Sequence, residues 1–231
     1  MNVVATLSPL SLLNHRLLSA IAVCGALLFT AAPATAACAP EAEQFIDKIG
    51  TDALNILRDP SNSPKDREAA FRTLLVGNSD IRRIAIFALG QYARKPTPEQ
   101  KEEYIKLVED FIAKVYVTRL SEYSDETFEV LGSRPKGKKE MLVKSRITFP
   151  SGRDPVEVEW WLLRNGDCFK IFDVKVVGIW LAQEQRSSFT SVIRNNGNQF
   201  AALIEHLTAQ IASAEAERDA PQETGSVGQS N

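Results

Sequence analysis

Histidine, cysteine and methionine are scarce in this chain: two, three and two among 231 residues. His15 lies near the start, ahead of an apolar run, so the body of the protein keeps His206 alone. A histidine pair for zinc is therefore excluded, and no Cys-x-x-Cys offers thiolates in its place. A Ser–His–Asp triad has one candidate base, and His206 sits between Leu203 and Leu207 on a helical pattern. A surface or half-buried helix residue is the simpler reading. No Walker loop and no dinucleotide glycine fingerprint occur. Neither sign of charge dominates: 27 basic residues face 29 acidic ones, a formal charge of −2. Nothing global draws such a chain to nucleic acid.

Leu17 to Phe29 form an unbroken run of apolar or small residues. It is shorter than the ~20 residues a membrane-spanning helix needs. His15 and Arg16 precede it, and Ala34-Thr35-Ala36 follows with the small-x-small pattern of a signal peptidase site. The expectation is a signal peptide over residues 1–36, cleaved near Ala36-Ala37, and export, most simply to a bacterial periplasm. An uncleaved anchor is the alternative, although no basic cluster follows the run. Cys24 leaves with the leader, so Cys38 and Cys168 remain. Whether they pair stays open, as does lipidation of Cys38, since Thr35-Ala36-Ala37-Cys38 faintly resembles a lipoprotein site. Cleavage removes Arg16 and no acid, which moves the formal charge to −3. The closing "AEAERDAPQETGSVGQSN" lacks apolar periodicity and predicts a disordered tail over 215–231. A single domain over 37–214 is left, long enough for a real core.

Within it the apolar period is first helical. Phe45, Ile46, Ile49, Ala53 and Leu57 share one face. Ser63-Pro64 opens a second helix with Ala70, Phe71, Leu74 and Leu75 turned inward. A third carries Ile81, Ile84, Ala85, Ala88, Leu89 and Tyr92 on one side. Ile86 and Phe87 fall off that side, so a second apolar contact is expected. Thr97-Pro98-Glu99-Gln100 reads as a capping box that starts a long helix ending near Tyr123, with Tyr104, Leu107, Val108, Phe111, Ile112 and Val115.

The period then becomes two. "TFEVL", "EMLVKSRITF", "VEVEWWLLR" and "CFKIFDVKVVGI" read as four strands. "GSRPKGKK", "PSGRDP" and the hairpin signal Asn165-Gly166 separate them. Val158, Trp160 and Leu162 share a face, and so do Phe172, Val174 and Val176. Asp173 and Lys175 are placed on the other, solvated side. Two helices follow, marked by Phe189, Val192 and Ile193, then by Phe200, Leu203, Ile204, Leu207 and Ile211. The fold class is α+β: a four-stranded antiparallel meander packed against N-terminal and C-terminal helices. Lys136, Lys138 and Lys139 make a basic hairpin tip, a solvated turn in the plain reading and a contact for anionic head groups or an acidic partner in the other.

"FKIFDVKVVGIWLAQEQRSSFTSVIRNNGNQFAALIEHL" resembles the closing segment of the MlaC-type proteins, also called the toluene-tolerance family. It shares Phe169, Asp173-Val174, Gly178, Leu181, Arg186, Phe189, Gly197 and Leu203. "IRRIAIFALGQYARKPTPEQKEEYIKLVEDFIAKVYVTRLSEY" also resembles that family, with an Ala-Leu-Gly helix end and a capped long helix. Departures are Phe172 for a frequent tyrosine, Trp180 for serine, and Glu184-Gln185 ahead of the arginine. The resemblance implies a non-enzymatic periplasmic carrier that holds phospholipid acyl chains in an apolar cavity. It implies shuttling between an inner-membrane ABC transporter complex with an MCE-type subunit and an outer-membrane lipoprotein–porin complex, with no cofactor.

On that reading the cavity lining is Phe71, Leu75, Ile84, Phe87, Ala88, Phe111, Val143, Val158, Trp160, Leu162, Phe172, Val174 and Val176. Gly178 bends the last strand, Ile179 to Leu181 form the rim, and Arg186 meets a head-group phosphate. Ordinary core packing, with Arg186 in a surface ion pair, is the plain alternative, because sequence does not separate a filled core from a lined cavity. A hopanoid- or sterol-like ligand, a non-catalytic envelope adaptor, and a cone-shaped enzyme using Asp173 as base remain as other readings.

Overall fold

The computed structural model describes residues 39–120, 126–166 and 168–219. The predicted leader, the Cys38–Cys168 question and residues 220–231 lie outside them. Four helices come first: α1 (Ala39–Arg58), α2 (Pro64–Asn78), α3 (Ile81–Ala88) and α4 (Pro98–Leu120), with a 3-10 turn at Gly90–Tyr92. The strands are β1 (Thr127–Gly137), β2 (Glu140–Thr148), β3 (Val156–Asn165), β4 (Cys168–Val176) and the two-residue β5 (Ile179–Trp180). They form one antiparallel sheet in chain order. Helices α5 (Leu181–Asn195) and α6 (Ala201–Asp219) close the chain. Among the described residues no helix is long and apolar enough to cross a membrane.

The predicted caps form. The Ser63 hydroxyl accepts the Asp66 amide at 3.2 Å, and the Asp66 carboxylate accepts the Ser63 amide at 3.1 Å. Thr97 and Gln100 exchange the same pair of bonds at 3.2 and 2.9 Å. Each box satisfies amides that a helix start leaves without partners.

Three boundaries differ from the sequence reading. Strand β1 runs through the expected turn to Gly137, because irregularities at Val130/Gly132 and Pro135/Gly137 absorb the glycine and proline on an edge strand. The meander has a fifth strand: Val177 and Gly178 turn β4 back on itself, so that Ile179 pairs with Val176 and Trp180 with Lys175. Gly178 thus reverses the chain where a bend was expected. Helix α6 continues to Asp219, past the predicted tail boundary at 215. It is held there by the Lys114–Glu215 and Arg218–Glu68 ion pairs, which apolar periodicity does not register.

Among the described residues two buried apolar clusters, rather than one, organise the interior. In the helical cluster Ala85, Leu89, Tyr104, Val108, Phe111, Phe189, Leu203 and Leu207 tie together α3, α4, α5 and α6. Tyr104 is fully buried and donates its hydroxyl to the Ala85 carbonyl at 2.9 Å, while its ring meets Phe189 and Phe200 edge-on. In the sheet cluster Ala42, Ile46 and Ile49 of α1 cover Met141, Val143, Leu162, Phe169 and Ile171. Helix α1 comes close to β1 at Gly50, where a Cβ would stand 2.3 Å from the Phe128 ring. Gly50→Ala should therefore lose about 1–3 kcal/mol by overpacking, outweighing the helix propensity that alanine adds. A urea-unfolding midpoint no lower than wild type would refute this.

Candidate functional site

Pleating of β2, β3 and β4 places one apolar face under α1. Val143 and Leu162 are fully buried there and Val158 nearly so, whereas Trp160, Val174 and Val176 remain half-buried. Trp160 donates its indole N–H to the buried Ser145 hydroxyl at 2.8 Å, which fixes the ring on the sheet with its edge toward Phe128. Phe45, Phe128, Val130, Trp160 and Val174 fringe the sheet cluster, and Leu107, Ile112 and Val115 fringe the helical one. Leu74, Leu75 and Val76 of α2 are likewise half-buried. The interior is thus apolar, and each of its two cores ends in side chains that are incompletely covered.

Phe172 departs from the expected alternation. A β-bulge inserts it between Ile171 and Asp173, opposite the Trp161/Leu162 step of β3. Its ring then packs on Trp161 at 4.8 Å and on Phe87 at 5.3 Å. Trp161 continues this aromatic row to Trp180 at 6.0 Å. The extra residue shifts the pleat, so Phe172 does not share the face of Val158, Trp160 and Leu162. Phe87, the off-face residue of α3, finds its second apolar contact here.

Asp173 keeps its predicted face, paired with Trp161 and opposite Val174 and Val176. That face is not solvated there: the start of α5 covers it, and Asp173 is 3% exposed. One carboxylate oxygen accepts the amides of Val174 at 2.8 Å and Ala182 at 2.7 Å. Ala182 is the second residue of α5, whose N-cap Trp180 has no side chain to offer. Asp173 therefore caps α5 from the sheet, with its charge on the positive end of the helix. Burial raises the carboxyl pKa above its ordinary 3.8, against the lowering effect of the bound amides. This is the chemistry of a cap. No histidine or tyrosine donor is bonded to the carboxylate among the described residues.

Arg186 projects from α5 with its guanidinium 4.9 Å from the centre of the Phe87 ring. The carboxylate partner of the plain reading is missing among the described residues, so the cation is held by an aromatic face and remains open to an anion. Two further cations border the aromatic row: Lys136 lies 4.1 Å from the Trp161 ring, and Lys175 lies 5.8 Å from that of Trp180.

The predicted lining set is therefore distributed. Val143, Val158, Trp160, Leu162, Val174 and Val176 share the inner sheet face. Phe71 is buried in α2 with Leu75 half-buried one turn later, and Ala88 and Phe111 belong to the helical core. Ile84 and Leu181 are half-buried, Phe87 and Phe172 lie in the aromatic row, and Ile179 is 53% exposed. Ala42, Phe45, Ile46, Phe128 and Ser145 join the inner face without having been predicted for it. Phe45 and Ile46 were legible as a helical face, but which surface they cover was not. A shallow dent at the β1–β2 tip, beside Lys138, Lys139 and Arg164, opens to solvent and encloses only about 10 Å³. That is far below the ~300 Å³ at which ligand pockets begin.

A family model described as MlaC protein matches residues 47–209. The "Toluene tolerance protein ttg2D" of Pseudomonas putida is 26% identical over 135 residues, which is 58% of this chain and 62% of that protein. The match thus spans less than two thirds of the relative's length. Among solved structures, the phospholipid-binding protein from Ralstonia solanacearum, in complex with a phospholipid, superposes with a TM-score of 0.68 at 19% identity. It covers 75% of this chain and 98% of the other. That likeness shows a shared fold.

Proposed function

The chain belongs to the MlaC family, and from that premise we propose that it is an exported, non-enzymatic phospholipid carrier. The observation that carries this reading is the divided interior: two packed cores, each fringed by half-buried apolar side chains. Hydrocarbon from a guest molecule would complete the cover that the protein's own side chains leave unfinished.

The physics requires such a device. Baring the ~30 methylenes of a two-chain lipid to water costs roughly 24 kcal/mol at ~0.8 kcal/mol each. A carrier must offset nearly all of that and no more, since a much deeper slot would not release its load. The inner face from Val158 to Val176 and the α2 residues Leu74 to Val76 supply apolar wall without a reactive group. Arg186, with no carboxylate partner among the described residues and flanked by Phe87, suits the head-group phosphate. The hand-over partners on this reading are the inner-membrane ABC transporter complex with its MCE-type subunit and the outer-membrane lipoprotein–porin complex, with the periplasm as the place of work.

Organic extraction of gently purified protein, followed by mass spectrometry, is expected to recover near-stoichiometric phospholipid. Arg186→Ala should keep the acyl chains but lower retention of anionic species several-fold, the order of a charge-assisted hydrogen bond. Recovery of a hopanoid in place of phospholipid would redirect the reading to that ligand class. Repeatedly lipid-free protein that takes nothing from vesicles would remove the carrier reading altogether.

A further inference from the structure

The turn between β4 and β5 combines features that stability alone does not account for. Val177 has a φ of +48° and Gly178 one of +84°. Positive φ at both central positions is the mark of a type I′ hairpin turn, where Asn-Gly is the favoured pair. A β-branched residue in that region is a genuine outlier, and such strain persists where function holds it. Packing gives no compensation: Val177 is 77% exposed, and Ile179 across the turn is 53% exposed. These are two of three large apolar residues that stand out from the described surface, the third being Leu131 at 39%.

Behind this tip stands the aromatic row of Trp180, Trp161 and Phe172, edged by Lys175, Lys136 and Arg186. Lys175 has Glu159 within 3.9 Å, and that carboxylate is already bound to Arg134 at 3.0 Å. Glu184, two residues before Arg186 on α5, points well around the helix from it. Two protruding aliphatics, a half-buried tryptophan and a cationic border match the interface of an anionic bilayer, where apolar tips enter among the head groups and cations meet phosphates. The same features are too small for a stable protein interface, which needs roughly 1,000 Å² of buried surface.

We infer that the Val177–Gly178–Ile179 turn is a membrane-docking tip that seats the protein on anionic phospholipid surfaces. This deepens the carrier reading and rests on it for the reason to meet a bilayer at all. A tip beside Trp180 and Arg186 brings the proposed head-group position to the membrane it would exchange with.

The test is flotation of the purified full-length mature protein with protein-free phosphatidylethanolamine–phosphatidylglycerol vesicles. Wild type is expected to float at low salt, less with purely zwitterionic vesicles, and less again at high salt as the cations are screened. The double variant Val177→Asn with Ile179→Asn should reduce bound protein about tenfold or more, in line with withdrawing two aliphatic side chains. Asn-Gly suits the turn better than Val-Gly, so the variant should fold at least as well, and an unchanged unfolding midpoint would exclude misfolding as the cause. Unaltered flotation of the variant overturns the proposal, as does wild type that ignores vesicles at low salt. Binding confined to native envelope membranes and abolished by prior protease treatment would assign the tip to a protein partner, and the proposal would again fall. Co-purified lipid, measured on the same samples, keeps the two readings apart. Lipid-loaded protein that never floats defeats the docking tip alone, and floating protein that never carries lipid defeats the carrier alone.

Discussion

Asp173→Ala should destabilise the protein by about 2–4 kcal/mol, far more than an ordinary helix cap. A surface cap is worth about 1 kcal/mol, but this carboxylate is buried and serves two amides at once, Val174 in the sheet and Ala182 in α5. Alanine leaves the buried Ala182 amide without its acceptor, at about 1–3 kcal/mol, and removes the part-buried Val174 bond as well. Urea denaturation checks the figure, and a loss below about 1 kcal/mol would show the cap to be incidental. The pH dependence has a definite sign. Because burial raises this pKa in the folded state, the native protein holds the proton more tightly than the unfolded chain. The stability contributed by the group is then full below 3.8 and declines as pH rises from there through the raised value. The gap between wild type and Asp173→Ala should accordingly widen as pH falls across that window. A gap that narrows toward acid would mean that the bound amides outweigh burial.

The second large effect concerns the interior. Val174→Trp should cut co-purified phospholipid at least about tenfold while changing stability by less than about 1.5 kcal/mol. Val174 is half-buried, next to Trp160 at the fringe of the sheet cluster. If hydrocarbon from a guest completes this face, an indole placed there occupies the same volume and takes over its contacts. A solidly packed face would respond oppositely, since a side chain this much larger would clash and cost about 3 kcal/mol or more. Lipid content by mass spectrometry and a denaturation curve on one preparation separate the outcomes. Strong destabilisation would remove the slot from this face.

Most elements were legible because they follow from local pattern. The capping pairs Ser63/Asp66 and Thr97/Gln100, the helical stripes of α3 and α4 and the Asn165-Gly166 hairpin are properties of neighbouring residues. Phe172 departs from the pattern for the complementary reason, whereas Asp173 keeps its predicted face and is buried because α5, which local pattern does not place, covers it. Strict alternation assumes an uninterrupted ladder, and a bulge opposite Trp161 and Leu162 depends on a partner strand that local pattern cannot supply. The extension of α6 past residue 215 escaped notice in the same way, since Glu215 and Arg218 pair with residues on α4 and α2.

Composition and order determined what this protein has little means to be, and the succession of helices, meander and helices that places it in its family. Scarce histidine and cysteine restrict side-chain chemistry wherever the chain folds, and apolar period is a local property. Tertiary structure alone decided that Asp173 is a buried cap, that Arg186 rests on Phe87 with no carboxylate among the described residues, and that the interior divides into two cores. Each of these depends on groups far apart in the chain meeting in space, and burial, hydrogen bonding and cation–aromatic contact act only at that range.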